Sequence, residues 1–154
     1  MDKVASPRLR TVLWRVAILA VLIFAMDQWL KAQILAGFRY ESEIISITLA
    51  INQGVSFSMF ASLGEVLKYI QIAILAGIAL YLARDRAFFA AHYLPAGIVL
   101  SAGASNVLDR FLHGGVVDYV YWHYGFEFAI FNFADVMLNL AVVLFVAQVI
   151  FKRK

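Results

Sequence analysis

Four long apolar segments constrain this chain most strongly. They lie at about 12–35, 66–83, 88–111 and 131–151, and each approaches or exceeds the roughly 20 residues that a helix needs to cross a membrane. The 154 residues are 64% hydrophobic, whereas a soluble domain is closer to about 45–50%. We therefore predict a mainly α, integral membrane protein with four transmembrane helices, forming a single membrane domain over residues 1–154.

The basic residues predict the orientation of these spans. Of the thirteen Lys and Arg residues, four are scattered at Lys31, Arg39, Lys68 and Arg110. The other nine cluster near the termini and in one short loop: Lys3, Arg8, Arg10, Arg15, Arg84, Arg86, Lys152, Arg153 and Lys154. Positive loops favour the cytoplasmic side, so both termini are predicted to be cytoplasmic. This clustering indicates topology rather than a nucleic-acid partner.

Residues of about 40–62 change character. From Ile45 to Asn52 apolar side chains alternate with small or polar ones, which is the period of a β-strand. Asn52-Gln53-Gly54 fits a turn, and the alternation resumes over residues 55–59. We predict a small periplasmic β element, a hairpin outside the lipid core because open sheet edges are not tolerated there.

A second outer segment, the periplasmic connection 112–131, joins the last two spans. Gly114-Gly115 breaks the preceding helix, and several Tyr and Trp residues follow. Such aromatic residues favour the headgroup layer. We interpret the segment as an aromatic connection.

Acidic residues are concentrated around this connection. Residues 106–135 hold four of the ten acids, at Asp109, Asp118, Glu127 and Asp135. An ionised carboxylate at membrane depth costs about 2.5–3.5 kcal/mol on insertion scales, so acids kept there indicate function. If Asp118 and Asp135 face each other, they would share one proton. Such a pair can activate water and polarise a peptide carbonyl.

Neighbouring polar residues are predicted to support this pair. Asn106 and Asn132 could orient the carboxylates or bind substrate. We expect an ion pair between Asp109 and Arg110, and another between Asp27 and Lys31, whose i, i+4 spacing suits a helix.

Other chemistries find less support in the sequence. Cysteine is absent, and so is an H-E-x-x-H motif, so we predict no metal and no cofactor. The outer aspartates, with His113 or His123, remain an alternative cation site. Ser105 with His113 could imitate a serine protease pair, but no G-x-S-x-G context accompanies it. Two alternatives from other classes are a proton-coupled carrier and a non-catalytic membrane scaffold.

Five ordered motifs resemble those of the lipoprotein signal peptidases, also called signal peptidase II. They cover residues of about 20–145 and read Asp27-Gln28-x-x-Lys31, Asn52-x-Gly54 with the following Phe57-Ser58, Asn106-x-x-Asp109-Arg110, Val116-Val117-Asp118-Tyr119 and Phe131-Asn132-x-Ala134-Asp135. The resemblance implies a bacterial inner-membrane aspartic protease, which removes signal peptides from prolipoproteins just before the diacylglyceryl-modified cysteine.

The resemblance also assigns roles to individual residues. It implies that Asp118 and Asp135 are the catalytic dyad. Substrate-binding or supporting roles fall to Asn52, Gly54, Asn106, Arg110 and Asn132. Structural polar roles fall to Asp27, Lys31 and Asp109. The β element would be a periplasmic cradle, and the partners a lipid-modified prolipoprotein and membrane lipids. We ourselves expect a monomer.

Overall fold

The computed structural model describes residues 6–54 and 61–151, with side chains from residue 10 onward and again from residue 62. In these ranges four helices are long and apolar enough to cross a membrane. The helices are α1 (Ser6–Leu35), α2 (Val66–Arg84), α3 (Arg86–His113) and α4 (Phe133–Phe151). Three strands, β1 (Tyr40–Glu41), β2 (Ile45–Asn52) and β3 (Val116–Trp122), form one small antiparallel sheet. The predicted fold class is confirmed.

Helix α3 packs against each of the other three helices. Small side chains allow this close approach, as is common between membrane helices. The buried core contains Ile23, Ile98, Ala102, Ala134 and Ala141. Large apolar side chains instead cover the outer helix faces, as expected for surfaces in contact with lipid.

A kink interrupts α3 at His92, where φ is −123° and ψ is 25°. Pro95 lies three residues further along the helix. Its ring lacks an N–H and collides with the carbonyl one turn back, so the helix bends there. The helix ends at Gly114, whose φ of 72° is left-handed.

The sheet has the strand order β1-β2-β3, and β3 was not predicted. It lies within the segment that we interpreted as an aromatic connection, and this interpretation missed a strand. Its first four residues are all buried, so the period-two pattern that marks a half-exposed strand is absent. The second strand of the predicted hairpin, over residues 55–59, lies outside the described residues.

A β-bulge in β2 sets which side chains share a face with Asp118. Ile47 pairs with Val120, but Ala50 pairs with Asp118, so β2 carries one extra residue between the two pairs. Asn52, two residues beyond Ala50, therefore lies on the same face as Asp118. A regular ladder would place Asn52 on the opposite face, because a one-residue slip exchanges the faces.

Candidate active site

A cavity of about 550 Å³ opens where the sheet meets the helices. We call this the sheet end of the bundle. Asp118 from β3 and Asp135 from α4 both line the cavity. Its other polar lining residues are Asn52, Gln71, Asn106, Arg110 and Asn139, and apolar side chains such as Val116, Phe128, Ile130 and Val136 complete the wall. The two acids singled out by the sequence therefore share one site.

Asp118 is held by two side-chain amides. Its Oδ2 accepts a hydrogen bond from Asn52 Nδ2 at 2.9 Å, and its Oδ1 accepts one from Asn132 Nδ2 at 2.7 Å. The amide of Asn52 is oriented by its own backbone turn, since its Oδ1 accepts from Gly54 N at 3.0 Å. Each carboxylate oxygen keeps a further lone pair for water or substrate.

Asp135 is held in the first turn of α4. Its Oδ2 accepts from the backbone N–H of Asn132 at 3.1 Å, and its own N–H donates to Asn132 Oδ1 at 2.9 Å. This reciprocal pair has the pattern of a capping box. Asp135 Oδ1 also accepts from Asn106 Nδ2 at 3.0 Å. Asn132 thus binds both acids, one through its side chain and the other mainly through its backbone.

Backbone contacts fix β3 against the start of α4. Val120 N donates to Phe131 O at 2.8 Å, and Phe131 N donates back to Val120 O at 3.0 Å. The hydroxyl of Tyr119 accepts from Phe133 N at 3.1 Å. Because these bonds flank both acids, the spacing between Asp118 and Asp135 is set by the backbone as well as by side chains.

Burial changes the titration of Asp118. The side chain is only 2% exposed, and burial raises its pKa to about 6 from its ordinary value of 3.8. The amide of Asn52 opposes this rise in the pKa, while the negative charge of Asp135 adds to it. A carboxyl that titrates near neutral pH beside a second carboxylate is suited to general acid–base chemistry.

The predicted ion pair between Asp109 and Arg110 is wrong. Arg110 instead donates Nε to Gln71 Oε1 at 2.8 Å, and its other nitrogens donate to the carbonyls of Asn52, Gln53 and Gly54. Adjacent helix residues point in different directions, so Asp109 faces α1 while Arg110 faces α2 and the end of β2. Arg110 and Gly54 thereby hold the strand end that presents Asn52.

Asp109 belongs to a fully buried cluster with Asp27 and Lys31. The ammonium of Lys31 lies 2.6 Å from Asp27 Oδ2 and 2.7 Å from Asp109 Oδ2. The predicted ion pair between Asp27 and Lys31 is confirmed. Exposure is 0% for both aspartates and 1% for the lysine, so ion pairs and hydrogen bonds inside the protein, rather than water, satisfy these side chains.

Four supporting residues were missed as site residues by the sequence analysis. They are Gln28, Gln71, Ser105 and Tyr119. Gln28 Nε2 donates to Ser105 Oγ at 2.9 Å and to Asp109 Oδ1 at 2.8 Å. Burial raises the pKa of Tyr119 to about 12, so its hydroxyl stays neutral. In the sequence, Gln28 and Tyr119 lay within the recognised motifs without an assigned role. Ser105 was considered only as a serine nucleophile, and Gln71 was marked only by its polarity within an apolar span.

The alternative of a pair between Ser105 and His113 does not fit the geometry. Ser105 Oγ donates to Asp27 Oδ2 at 2.7 Å, and His113 is exposed. Within residues 6–54 and 61–151, no group of three or more His, Cys, Asp or Glu side chains could hold a metal ion. The geometry that remains is a pair of carboxylates beside a partly apolar cavity, which suits hydrolysis of a peptide bond.

Comparison with known proteins agrees with this chemistry. A family model described as Signal peptidase (SPase) II matches residues 19–151. A lipoprotein signal peptidase of Wolinella succinogenes is 66% identical over 146 residues, which are 95% of this chain and 100% of the relative. The lipoprotein signal peptidase of Campylobacter jejuni is 50% identical over 134 residues, covering 87% of this chain and 86% of the relative.

The fold also matches a solved structure. A bacterial membrane enzyme determined by the in meso method at 2.3 Å resolution superposes with a TM-score of 0.79 at 24% identity, covering 91% of this chain and 92% of the other. At this identity the likeness concerns the fold alone. Together with the sequence matches, it shows a multi-pass bacterial membrane protein, and the chain belongs to the signal peptidase II family of aspartic peptidases, the lipoprotein signal peptidases.

Proposed function

We propose that Asp118 and Asp135 are the catalytic pair of this lipoprotein signal peptidase. The observation that carries the proposal is the position of Asn132, whose amide binds Asp118 at 2.7 Å and whose backbone N–H binds Asp135 at 3.1 Å. One residue thus joins two carboxylates at one cavity. Two such groups resist simultaneous ionisation and hold one proton between them.

The pair would hydrolyse the peptide bond with water alone. The ionised carboxylate takes a proton from the attacking water while the protonated one donates a hydrogen bond to the scissile carbonyl. The resulting tetrahedral intermediate collapses when a proton reaches the leaving amine. Because Asp118 keeps its proton up to about pH 6, the shared proton is available close to neutral pH.

Five further residues serve this pair. Asn52 and Asn132 donate amide N–H groups to the two oxygens of Asp118, and Asn106 donates to Asp135 Oδ1, which leaves the remaining lone pairs for water. Arg110 and Gly54 hold the end of β2, since the guanidinium donates to the Gly54 carbonyl. We assign these five to substrate binding or support of the site.

The substrate is a prolipoprotein with a diacylglyceryl-modified cysteine, cut just before that residue. The cavity wall mixes amides with apolar side chains, which suits a peptide that carries acyl chains. We place the sheet end and the active site on the periplasmic side of the inner membrane, with both termini cytoplasmic, because the basic residues cluster at the other end. We propose a single membrane domain that acts as a monomer.

Activity of purified variants tests the catalytic pair. In detergent micelles, Asp118→Asn and Asp135→Asn should each abolish signal-peptide release from a diacylglyceryl-modified prolipoprotein. Asp85→Asn is the matched control, since Asp85 caps α3 at the opposite end and asparagine caps a helix equally well. If either dyad variant retained activity close to that of the control, the assignment would be wrong.

Substrate modification tests the chemistry of the cavity. The same prolipoprotein, with and without its diacylglyceryl group, should differ strongly in kcat/KM, and mass spectrometry should place the cut directly before the cysteine. Equal rates on both forms would contradict recognition of the lipid.

A further inference from the structure

The buried cluster of Asp27, Lys31 and Asp109 binds the backbone next to both catalytic acids. Asp109 Oδ2 accepts the backbone N–H of Val117 at 3.1 Å, and Val117 directly precedes Asp118. Asp27 Oδ1 accepts the backbone N–H of Ala134 at 2.9 Å, and Ala134 directly precedes Asp135. Each structural aspartate therefore anchors the peptide that carries one catalytic aspartate.

Lys31 joins these two anchors. Its ammonium contacts Asp27 at 2.6 Å and Asp109 at 2.7 Å, and it donates to Asn106 Oδ1 at 2.9 Å. These acceptors use all of its N–H groups. Asn106 in turn donates Nδ2 to Asp135 at 3.0 Å. Because the ammonium occupies the amide oxygen of Asn106, the N–H side must face the catalytic acid.

We propose, on the basis of the catalytic pair assigned above, that Lys31 is a positioning residue that fixes the spacing and the charge of Asp118 and Asp135. Three chains of ion pairs and hydrogen bonds connect Lys31 to the pair, through Asp27, Asp109 and Asn106. A lysine that only neutralised one helical neighbour would need Asp27 alone.

The charge of Lys31 also acts on the pair directly. Burial is the main cause that raises the pKa of Asp118, and the positive charge of Lys31 opposes it. The other charged or titratable groups packed around the pair are Asp27 from α1, Asp109 and Arg110 from α3, and Tyr119 from β3. Removing a positive charge here favours full protonation of the pair, and removing a negative charge favours its ionisation.

Opposite shifts of the pH–rate profile therefore test the proposal. Lys31→Met should lower kcat at pH 7 by at least about tenfold with little change in KM, and should move the acidic limb to higher pH by about one unit. Asp109→Asn should move the acidic limb to lower pH, because it removes a negative charge. The new asparagine can keep its hydrogen bond to Gln28, since Gln28 can reverse its side-chain amide. A residue that merely stabilised the fold would move neither limb.

Ile98→Ala is the control for lost stability. Ile98 is 2% exposed in the helix core, and its truncation leaves a cavity that destabilises the protein by about 2–5 kcal/mol. It should lower the melting temperature without shifting the profile. If Lys31→Met does not fold, the proposal is tested by Asp109→Asn alone, through the predicted shift of its acidic limb to lower pH.

Unmoved acidic limbs in the folded variants, with kcat within about threefold of wild type, would overturn the positioning role. That result is distinguishable from failure of the catalytic assignment. If Asp118→Asn and Asp135→Asn inactivate the enzyme while Lys31→Met and Asp109→Asn leave the profile unchanged, only the role of Lys31 is wrong.

Discussion

Asp118 should make the folded protein less stable as the pH rises, and Asp118→Asn should remove this effect. The pKa of Asp118 is about 6 in the folded protein, against an ordinary 3.8 that applies to the unfolded chain. The folded state therefore binds the proton more tightly. Stability from this proton is complete below about pH 4 and is lost as the pH rises through about 6.

The magnitude follows from the two values. The difference between about 6 and 3.8, at about 1.36 kcal/mol per pH unit, corresponds to about 3 kcal/mol. Asparagine at position 118 also presents an amide N–H to the donating amide of Asn52 or Asn132, which costs about 1–3 kcal/mol. That mismatch does not depend on pH, so it cancels when two pH values are compared.

The assay is the free energy of unfolding of both proteins in detergent micelles at pH 4 and pH 7. Relative to wild type, Asp118→Asn should gain about 2.4 kcal/mol from pH 4 to pH 7, less than the full value because an unfolded carboxyl is already partly ionised at pH 4. Carboxyl groups that do not interact with Asp118 titrate alike in both proteins and drop out of the difference; Asp135, whose charge acts on Asp118, is the exception. A difference that is the same at both pH values, or that changes in the opposite direction, would refute the raised pKa of Asp118.

Three further predictions concern activity and packing. The kcat/KM of the free enzyme should fall as the pH rises above about 6, because Asp118 with its pKa of about 6 loses the shared proton; a rate that is flat from pH 5 to 8 would contradict this. Gly115→Ala should destabilise the protein by about 1–3 kcal/mol, since the new Cβ would lie 2.8 Å from the Asn52 carbonyl oxygen and 2.8 Å from Ile51 Cγ2. Gly77→Ala, where a Cβ meets nothing within 4 Å, should instead be neutral or stabilising by up to about 1 kcal/mol, as thermal melts would show. EDTA should leave the rate of signal-peptide release unchanged, and inhibition reversed by added divalent cation would favour the alternative cation site.

The helices were predictable from the sequence because a membrane span needs a long apolar run. Strand β2 was predictable because polar and apolar residues alternate along it. Strand β3 was not predictable, since Val116 and Val117 are buried together with Asp118 and Tyr119. A strand that is buried on both faces shows no alternation of polar and apolar residues in its sequence. The pairing register of β2 with β3 could not be predicted either, because the bulge that brings Asn52 to the face of Asp118 depends on a partner strand far along the chain.

The candidate site shows the same division. Asp118 and Asp135 could be found as acids that are expensive to keep near a membrane. The residues that support them are ordinary polar residues, and the contacts of Ser105 and Gln28 form only when α1 packs on α3. The error over Arg110 has a similar cause, since adjacent residues on a helix look like neighbours in sequence but face different partners.

The central claim, that Asp118 and Asp135 act as one unit on a single water molecule, is tested most directly by a double-mutant cycle on the single-turnover rate of prolipoprotein cleavage. If the two carboxylates share one function, Asp118→Asn/Asp135→Asn should be no slower than the slower of the two single variants. Losses that multiply, with measurable residual activity in each single variant, would show two independent residues and would contradict the account.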